Sequence, residues 1–152
     1  MSDVERAKIR VATEEDLKSI VSHYAPGGGD SPWDPFADLE RIRGIPRRGL
    51  NVALLSGRYV GFLFWYEARN PWYAPDVKRY ARISDLHILP AARRKGIGRA
   101  LMQDALSQIR AAGIPTVFLE TDTNNARAQS LYRSEGFVTT PPGAIRFRLD
   151  LR

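Results

Sequence analysis

The chain contains no cysteine and only two histidines, His23 and His87, among its 152 residues. Without cysteine there can be no disulfide, no thiolate nucleophile and no Cys-ligated zinc, and two isolated histidines make a poor metal site. No apolar run approaches the ~18 residues that a membrane-spanning helix needs. The first residues, Met1-Ser2-Asp3-Val4-Glu5-Arg6, are polar and do not lead into an apolar stretch, so no secretory signal is expected and a cytoplasmic location is. Internal repeats and domain linkers are also absent, and the length suits one domain spanning residues 1–152. Chemistry must therefore come from oxygen groups, backbone amides or a bound cofactor.

Hydrophobic residues make up 43% of the chain and charged residues 26%, the balance of a globular protein. Twenty-three basic residues against seventeen acidic ones leave a net charge of +6, a field that attracts anions. Nucleic acid and a phosphorylated small ligand both satisfy that charge. Its location favours the second: Arg93, Arg94, Lys95 and Arg99 gather around Gly96 and Gly98. No surface helix carries a long basic stripe, and the aromatics are not interleaved with the basic residues. Neither nucleic acid nor a membrane is expected as a partner.

Periodicity predicts a strand over Lys8–Ala12, then a helix capped by Thr13 with acids in its first turn and Leu17, Ile20, Val21 and Tyr24 on one face. The run from Pro26 to Pro32 must be a loop, and Trp33 to Arg43 suits a second helix carrying Phe36, Leu39 and Ile42. Asn51–Leu55 and Tyr59–Trp65 are β-rich runs around Ser56-Gly57-Arg58, a hairpin signal. Tyr80–Leu89 is another strand. From Gly96, the spacing of Leu101, Ala105, Leu106, Ile109 and Ala112 predicts a helix stopped by Gly113 and Pro115. A strand over Thr116–Glu120, a helix over Asn125–Glu135, and strands over Phe137–Thr140 and Ala144–Leu151 follow, the last two separated by Pro141-Pro142-Gly143.

The segment Arg93-Arg94-Lys95-Gly96-Ile97-Gly98 therefore joins a strand to a helix. Amides at a helix N-terminus point outward and carry partial positive charge, so such a loop is an anion site. Glycine lets phosphate oxygens reach the amides, and the basic residues charge the rim. A lone G-x-G is equally a tight turn with solvated basic residues. A P-loop is excluded, since Gly98-Arg99-Ala100 stands where Gly-Lys-Ser/Thr is required. A dinucleotide fingerprint would need a small residue at Leu101, although Glu120 could imitate its ribose-binding acid.

Leu86-His87-Ile88-Leu89-Pro90 followed by Arg93-Arg94-Lys95-Gly96-Ile97-Gly98 resembles the strand and pyrophosphate loop of GNAT N-acetyltransferases. A second block is similar too: Asn125, then Leu131-Tyr132 followed by Gly136-Phe137, in the family's order. The resemblance covers roughly residues 80 to 140. It implies an α/β GNAT fold, a single mixed, mostly antiparallel sheet flanked by helices with splayed central strands. It further implies acetyl-CoA as cofactor, an amine of a small molecule or peptide as acceptor, and direct attack in a ternary complex. A homodimer is an open alternative for the assembly. By the same resemblance, amides around Gly96, Ile97 and Gly98 bind the pyrophosphate, with Arg93, Arg94, Lys95 and Arg99 around it. The strand backbone at Leu86, His87 and Ile88 receives the pantetheine arm, and Asn125 contacts the cofactor.

Acetyl transfer needs a neutral nitrogen, a donor to the oxyanion and a proton for the departing thiolate. Tyr132 matches the family's general acid, and a phenol of ordinary pKa about 10 stays protonated at neutral pH. Helical spacing with Ala128, Leu131 and Glu135 would by itself make Tyr132 a core residue. The family often carries a base at the positions that hold Arg82 and Ser84 here, so the chain departs from the pattern. Asp85 is the nearest acid and a candidate base or amine-binding group, although alternation along a strand turns it away from Ser84 unless a bulge intervenes. Ser84 could relay a proton through water, and Glu120 is a comparable outsider. His87 beside Asp85 reads as a satisfied structural histidine, and His23 lies on a polar helix side. Trp33, Phe36, Trp65, Tyr66, Trp72 and Tyr73 form either a core or the wall of an acceptor pocket, with Asp30, Asp34, Asp38 or Glu67 meeting an ammonium. The missing strand base leaves a non-catalytic acyl-CoA sensor as an alternative, and the glycine loop leaves, behind it, a dinucleotide-dependent oxidoreductase.

Overall fold

The computed structural model describes residues 6–24, 34–121, 124–140 and 146–151. Expectations placed on Pro26 to Pro32, including Asp30, on Trp33, and on Pro141 to Ala144 lie outside the described residues. The strands form one seven-stranded mixed sheet in the order β1-β2-β3-β4-β5-β7-β6. They are β1 (Lys8–Val11), β2 (Leu50–Leu55), β3 (Arg58–Arg69), β4 (Arg79–Ile88), β5 (Thr116–Glu120), β6 (Val138–Thr139) and β7 (Arg146–Asp150). The helices are α1 (Glu14–His23), α2 (Leu39–Ile42), α3 (Ile97–Ala111) and α4 (Ala126–Ser134). The chain divides into two compact units, the described parts of Met1–Phe64 with Leu86–Leu101 and of Trp65–Asp85 with Met102–Arg152.

In the first unit β1 pairs antiparallel with β2, and β2 with β3. Apolar residues at helical spacing put Leu17 and Ile20 of α1 into a core with Phe36, Ile42, Leu50, Val52, Phe62 and Phe64. Thr13 caps α1 as its sequence predicts, and Asp16 answers it by accepting from the Thr13 backbone at 2.8 Å, a complete capping box. The single helix expected from Trp33 to Arg43 is corrected to a 3₁₀ turn over Pro35–Ala37 and the short α2. The break has a local cause. Asp34 accepts from Phe36 N at 3.0 Å, and Asp38 from Glu40 N at 2.8 Å and Arg41 N at 3.2 Å, so each aspartate starts a turn of its own.

In the second unit β4 and β5 run parallel, in register from Ala81 opposite Val117 to Ile83 opposite Leu119. β5 pairs antiparallel with β7, and β7 with β6. Met102, Ala105, Ile109, Val117, Phe118 and Phe147 are buried, and β5 is buried on both faces from Thr116 to Leu119. Trp65 is buried too and donates its indole N–H to Gln108 at 3.0 Å, so it belongs to the core and not to a pocket wall.

Candidate functional site

In the first unit the chain leaves β4 through Leu89 and a 3₁₀ turn, crosses Arg93 to Gly96, and enters α3 at Ile97. Gly96 has φ +76°, and a Cβ built there would meet nothing within 4 Å, so both the backbone and the open space beside it suit glycine. Arg94 also has a positive φ, at 66°. Ile97, only 3% exposed, anchors the turn, while Arg93, Arg94, Lys95 and Arg99 stay exposed. The bond from Ala100 N to Gly96 O, 3.0 Å, opens the helical ladder. The amides of Ile97, Gly98 and Arg99 thus lie at the positive end of a 15-residue helix, ahead of any intrahelical acceptor. The structure thus places the turn and the helix start where the glycine spacing predicted them.

The strand feeding that loop is held by a close approach. A Cβ on Gly61 of β3 would fall 2.6 Å from the His87 carbonyl oxygen and 2.8 Å from Ile88 Cδ1. Leu89 N donates to Val60 O at 2.8 Å. A lone glycine inside a β pattern is the signal of such an approach, and sequence reasoning passed over it. Leu86, His87 and Ile88 are each half-buried. Arg93 Nε donates to the Ile88 carbonyl at 3.2 Å, so that acceptor already has a partner. His87 is corrected as well. Its ring packs beside Tyr24 and Phe62, with centroids 5.9 and 6.2 Å away, and its buried Nδ1 has no partner among the described residues. Burial, aided by the Arg93 charge, holds its pKa below the usual imidazole range.

In the second unit Asn125 caps α4, its side-chain oxygen accepting from Ala128 N at 3.1 Å. Tyr132, 8% exposed, sets its ring against Phe147 and Phe137, with centroids 5.7 and 6.1 Å away. The ring is thus part of the core, and burial raises the phenol pKa above its ordinary value, which keeps the proton on at neutral pH. On β4, Ser84 Oγ donates to Asp85 Oδ2 at 2.7 Å. The expected opposition of these two side chains is corrected: the carboxylate reaches the neighbouring hydroxyl, and the two join as one polar pair.

Glu120 is engaged from two strands, with Arg82 Nη1 at 3.4 Å and Arg146 Nη2 at 3.2 Å from its Oε1. Burial alone would raise its pKa, but the two arginines together hold it below the usual carboxylate range. It is therefore a weak base, and its pairing removes it from the ribose-binding role too. The acids expected to meet an ammonium also have other tasks. Glu67 accepts Arg79 Nε at 2.6 Å, and Asp34 and Asp38 cap turns. The aromatic cluster does hold a cation, but it is the protein's own: Arg146 Cζ lies 3.7 Å from the Tyr73 ring centroid and 5.5 Å from that of Trp72. Arg146 was not among the residues singled out in the sequence; alternation along Arg146-Phe147-Arg148-Leu149 was the available signal.

Among the described residues no cluster of His, Asp or Glu could hold a metal, and no helix is long and apolar enough to cross a membrane. The profile of the acetyltransferase (GNAT) family matches residues 15–137. A D-amino-acid N-acetyltransferase of Saccharomyces cerevisiae is 32% identical over 84 residues, 55% of this chain and 50% of that protein. A mycothiol acetyltransferase of Frankia casuarinae is 32% identical over 136 residues, 83% of this chain and 39% of the relative. The chain thus spans half or less of the length of these two relatives. Among solved structures, the PaiA N-acetyltransferase of Thermoplasma acidophilum, in complex with coenzyme A, shares the fold. It has a TM-score of 0.75 at 18% identity, covering 96% of this chain and 99% of that one. With the match extending over most of its length, the chain belongs to the GNAT acetyltransferase family.

Proposed function

We propose that the protein transfers an acetyl group from acetyl-CoA to the amine of a small molecule or peptide. The observation that carries this reading is the open, positively charged amide end of α3, with unobstructed space beside Gly96 and four exposed basic residues around it. Amides of Ile97, Gly98 and Arg99 bind the pyrophosphate, and Arg93, Arg94, Lys95 and Arg99 add charge. The backbone at Leu86, His87 and Ile88 lines the pantetheine arm, where Arg93 must release the Ile88 carbonyl if that oxygen is used. Asn125, its oxygen engaged in the cap, offers its amide nitrogen.

The thioester supplies the activated acetyl group. The amine nitrogen attacks its carbonyl carbon, the C–N bond forms and the C–S bond breaks. Tyr132 Oη–H gives its proton to the departing sulfur, burial of the phenol supports its being protonated at that moment, and the proton that the newly acylated nitrogen sheds restores the phenol by way of solvent. The ammonium proton leaves through the Ser84–Asp85 pair to solvent. The names of the relatives differ in acceptor, a D-amino-acid N-acetyltransferase in one case and a mycothiol acetyltransferase in the other, and each name belongs to that protein alone.

Calorimetric titration with acetyl-CoA and, separately, with a nicotinamide dinucleotide tests the reading, followed by amine-dependent thiol release. Binding of acetyl-CoA alone, with turnover on an amine panel, is the expected result. Binding without any turnover would point to an acyl-CoA sensor, and dinucleotide binding alone would overturn the reading.

A further inference from the structure

Arg82 and Arg146 share one acidic partner and hold it loosely. Three donors, Arg146 Nε at 3.3 Å, Arg146 Nη2 at 3.2 Å and Arg82 Nη1 at 3.4 Å, converge on the single oxygen Oε1 of Glu120. Charge-assisted bonds to carboxylates ordinarily close to about 2.7–2.9 Å, often as two parallel bonds to both oxygens. Arg79 on Glu67 shows the paired form, with one short bond of 2.6 Å and one of 3.1 Å, one to each oxygen. Arg146 does not, although its side chain is only 12% exposed. Its Nη1 is buried and has no hydrogen-bond partner among the described residues. The same holds for the Oη of Tyr73, the residue whose ring lies against the Arg146 guanidinium. Two buried polar groups without partners, side by side, are a costly arrangement that a ligand would relieve.

The surroundings say which ligand. Two guanidinium charges less the Glu120 carboxylate leave one positive charge, the complement of a monoanion. The site already accepts a carboxylate, that of Glu120. Trp72, 76% exposed beside Arg146, forms an open wall. Arg82 and Ser84 stand two residues apart on β4 and so share a face, which puts the Ser84–Asp85 pair on the same strand as the arginine.

We propose that Arg146, with Arg82 and Tyr73, is a subsite for a carboxylate carried by the acceptor, so that the substrate class is amino acids or other amines bearing a carboxylate. The assignment rests on the acetyl-transfer reading. In it the aromatic cluster recognises the acceptor's anionic end by way of Arg146, the reverse of the ammonium-binding role that aromatics and acids suggested in the sequence.

The test compares kcat/KM at saturating acetyl-CoA for α-amino acids and their primary amides, pair by pair. The carboxylate member should be preferred roughly tenfold or more, through KM, because its loss leaves buried donors unpaired. Arg146→Gln should bring the ratio near one. Tyr73→Phe, which keeps the ring against Arg146 and removes only the hydroxyl, should lower it about 2–10-fold without unfolding the protein. A wild-type ratio of one or less, with amides still acetylated, overturns the subsite and leaves acetyl transfer standing. If nothing is acetylated, the subsite is read by binding. The ¹⁵N side-chain resonance of Arg146, assigned by its disappearance in Arg146→Gln, should move with N-acetylalanine and stay with N-acetylalaninamide. No movement, equal movement with both, or movement with inorganic phosphate alone overturns the proposal.

Discussion

Arg10 with Asp16 at the start of α1, and Arg82 and Arg146 with Glu120 on β4, β7 and β5, use the same chemistry to different completeness. Asp16, 3% exposed, accepts Arg10 Nη2 at 2.9 Å on one oxygen, and Arg10 Nε at 3.2 Å and Thr13 N at 2.8 Å on the other. Its acceptor sites are filled by close contacts from its own neighbourhood in sequence. Glu120 meets its arginines only at 3.2–3.4 Å and on one oxygen, and a buried guanidinium nitrogen has no partner among the described residues. A saturated cluster holds a fold together, while an unsaturated one has donors available to something else. The two should therefore separate when stability and turnover are measured on the same variants.

The largest effect is expected at Tyr132, which combines both roles in one side chain. Tyr132→Phe keeps the ring against Phe147 and Phe137 and removes the proton. Turnover should fall roughly 10²–10⁴-fold while acetyl-CoA affinity and thermal midpoint stay the same. An unchanged rate in a stopped assay would assign Tyr132 to packing alone.

Next is Asp16→Ala, which removes the capping box and the buried acceptor of Arg10 together. We expect a loss of about 2–3 kcal/mol in urea denaturation at pH 7, with kcat/KM of the folded protein unchanged. The pH dependence sharpens this. Burial would raise the Asp16 pKa, but the bonds from Arg10 and Thr13 outweigh it and set the folded value below 3.8. A carboxylate lowered on folding contributes stability above its unfolded pKa, and that contribution disappears as the pH falls through the folded one. Wild-type stability should thus decline below about pH 4, and Asp16→Asn should flatten that decline.

The smallest effect on stability should come from Glu120→Gln, under about 1 kcal/mol, because its contacts are long and its side chain is a third exposed. A cost equal to that of Asp16→Ala would break the comparison and make the second cluster structural.

Much of this was legible before any coordinates. Thr13 before three acids gave its cap away, and the helix stop at Gly113 and the loop at Gly96 followed from spacing alone, because these rules act over a few residues. The Trp33–Arg43 expectation failed inside the same range, since apolar periodicity was weighted above the turn-forming chemistry of Asp34 and Asp38. Pairings between distant strands were illegible. Nothing local in Glu120 announces two arginines from β4 and β7, and nothing in Tyr73 or Arg146 announces that they stack, 73 positions apart.

By itself, then, the sequence determined the order of elements, the turn at Gly96 and the family, since each depends on short patterns with local physical causes. Only the tertiary structure decided that Glu120 is paired with two arginines, that the aromatic cluster lies against an arginine, and that Gly61 must be glycine for β3 to approach His87. Those outcomes depend on which side chains a sheet brings together across many residues, and on donors left over after every near partner has been counted.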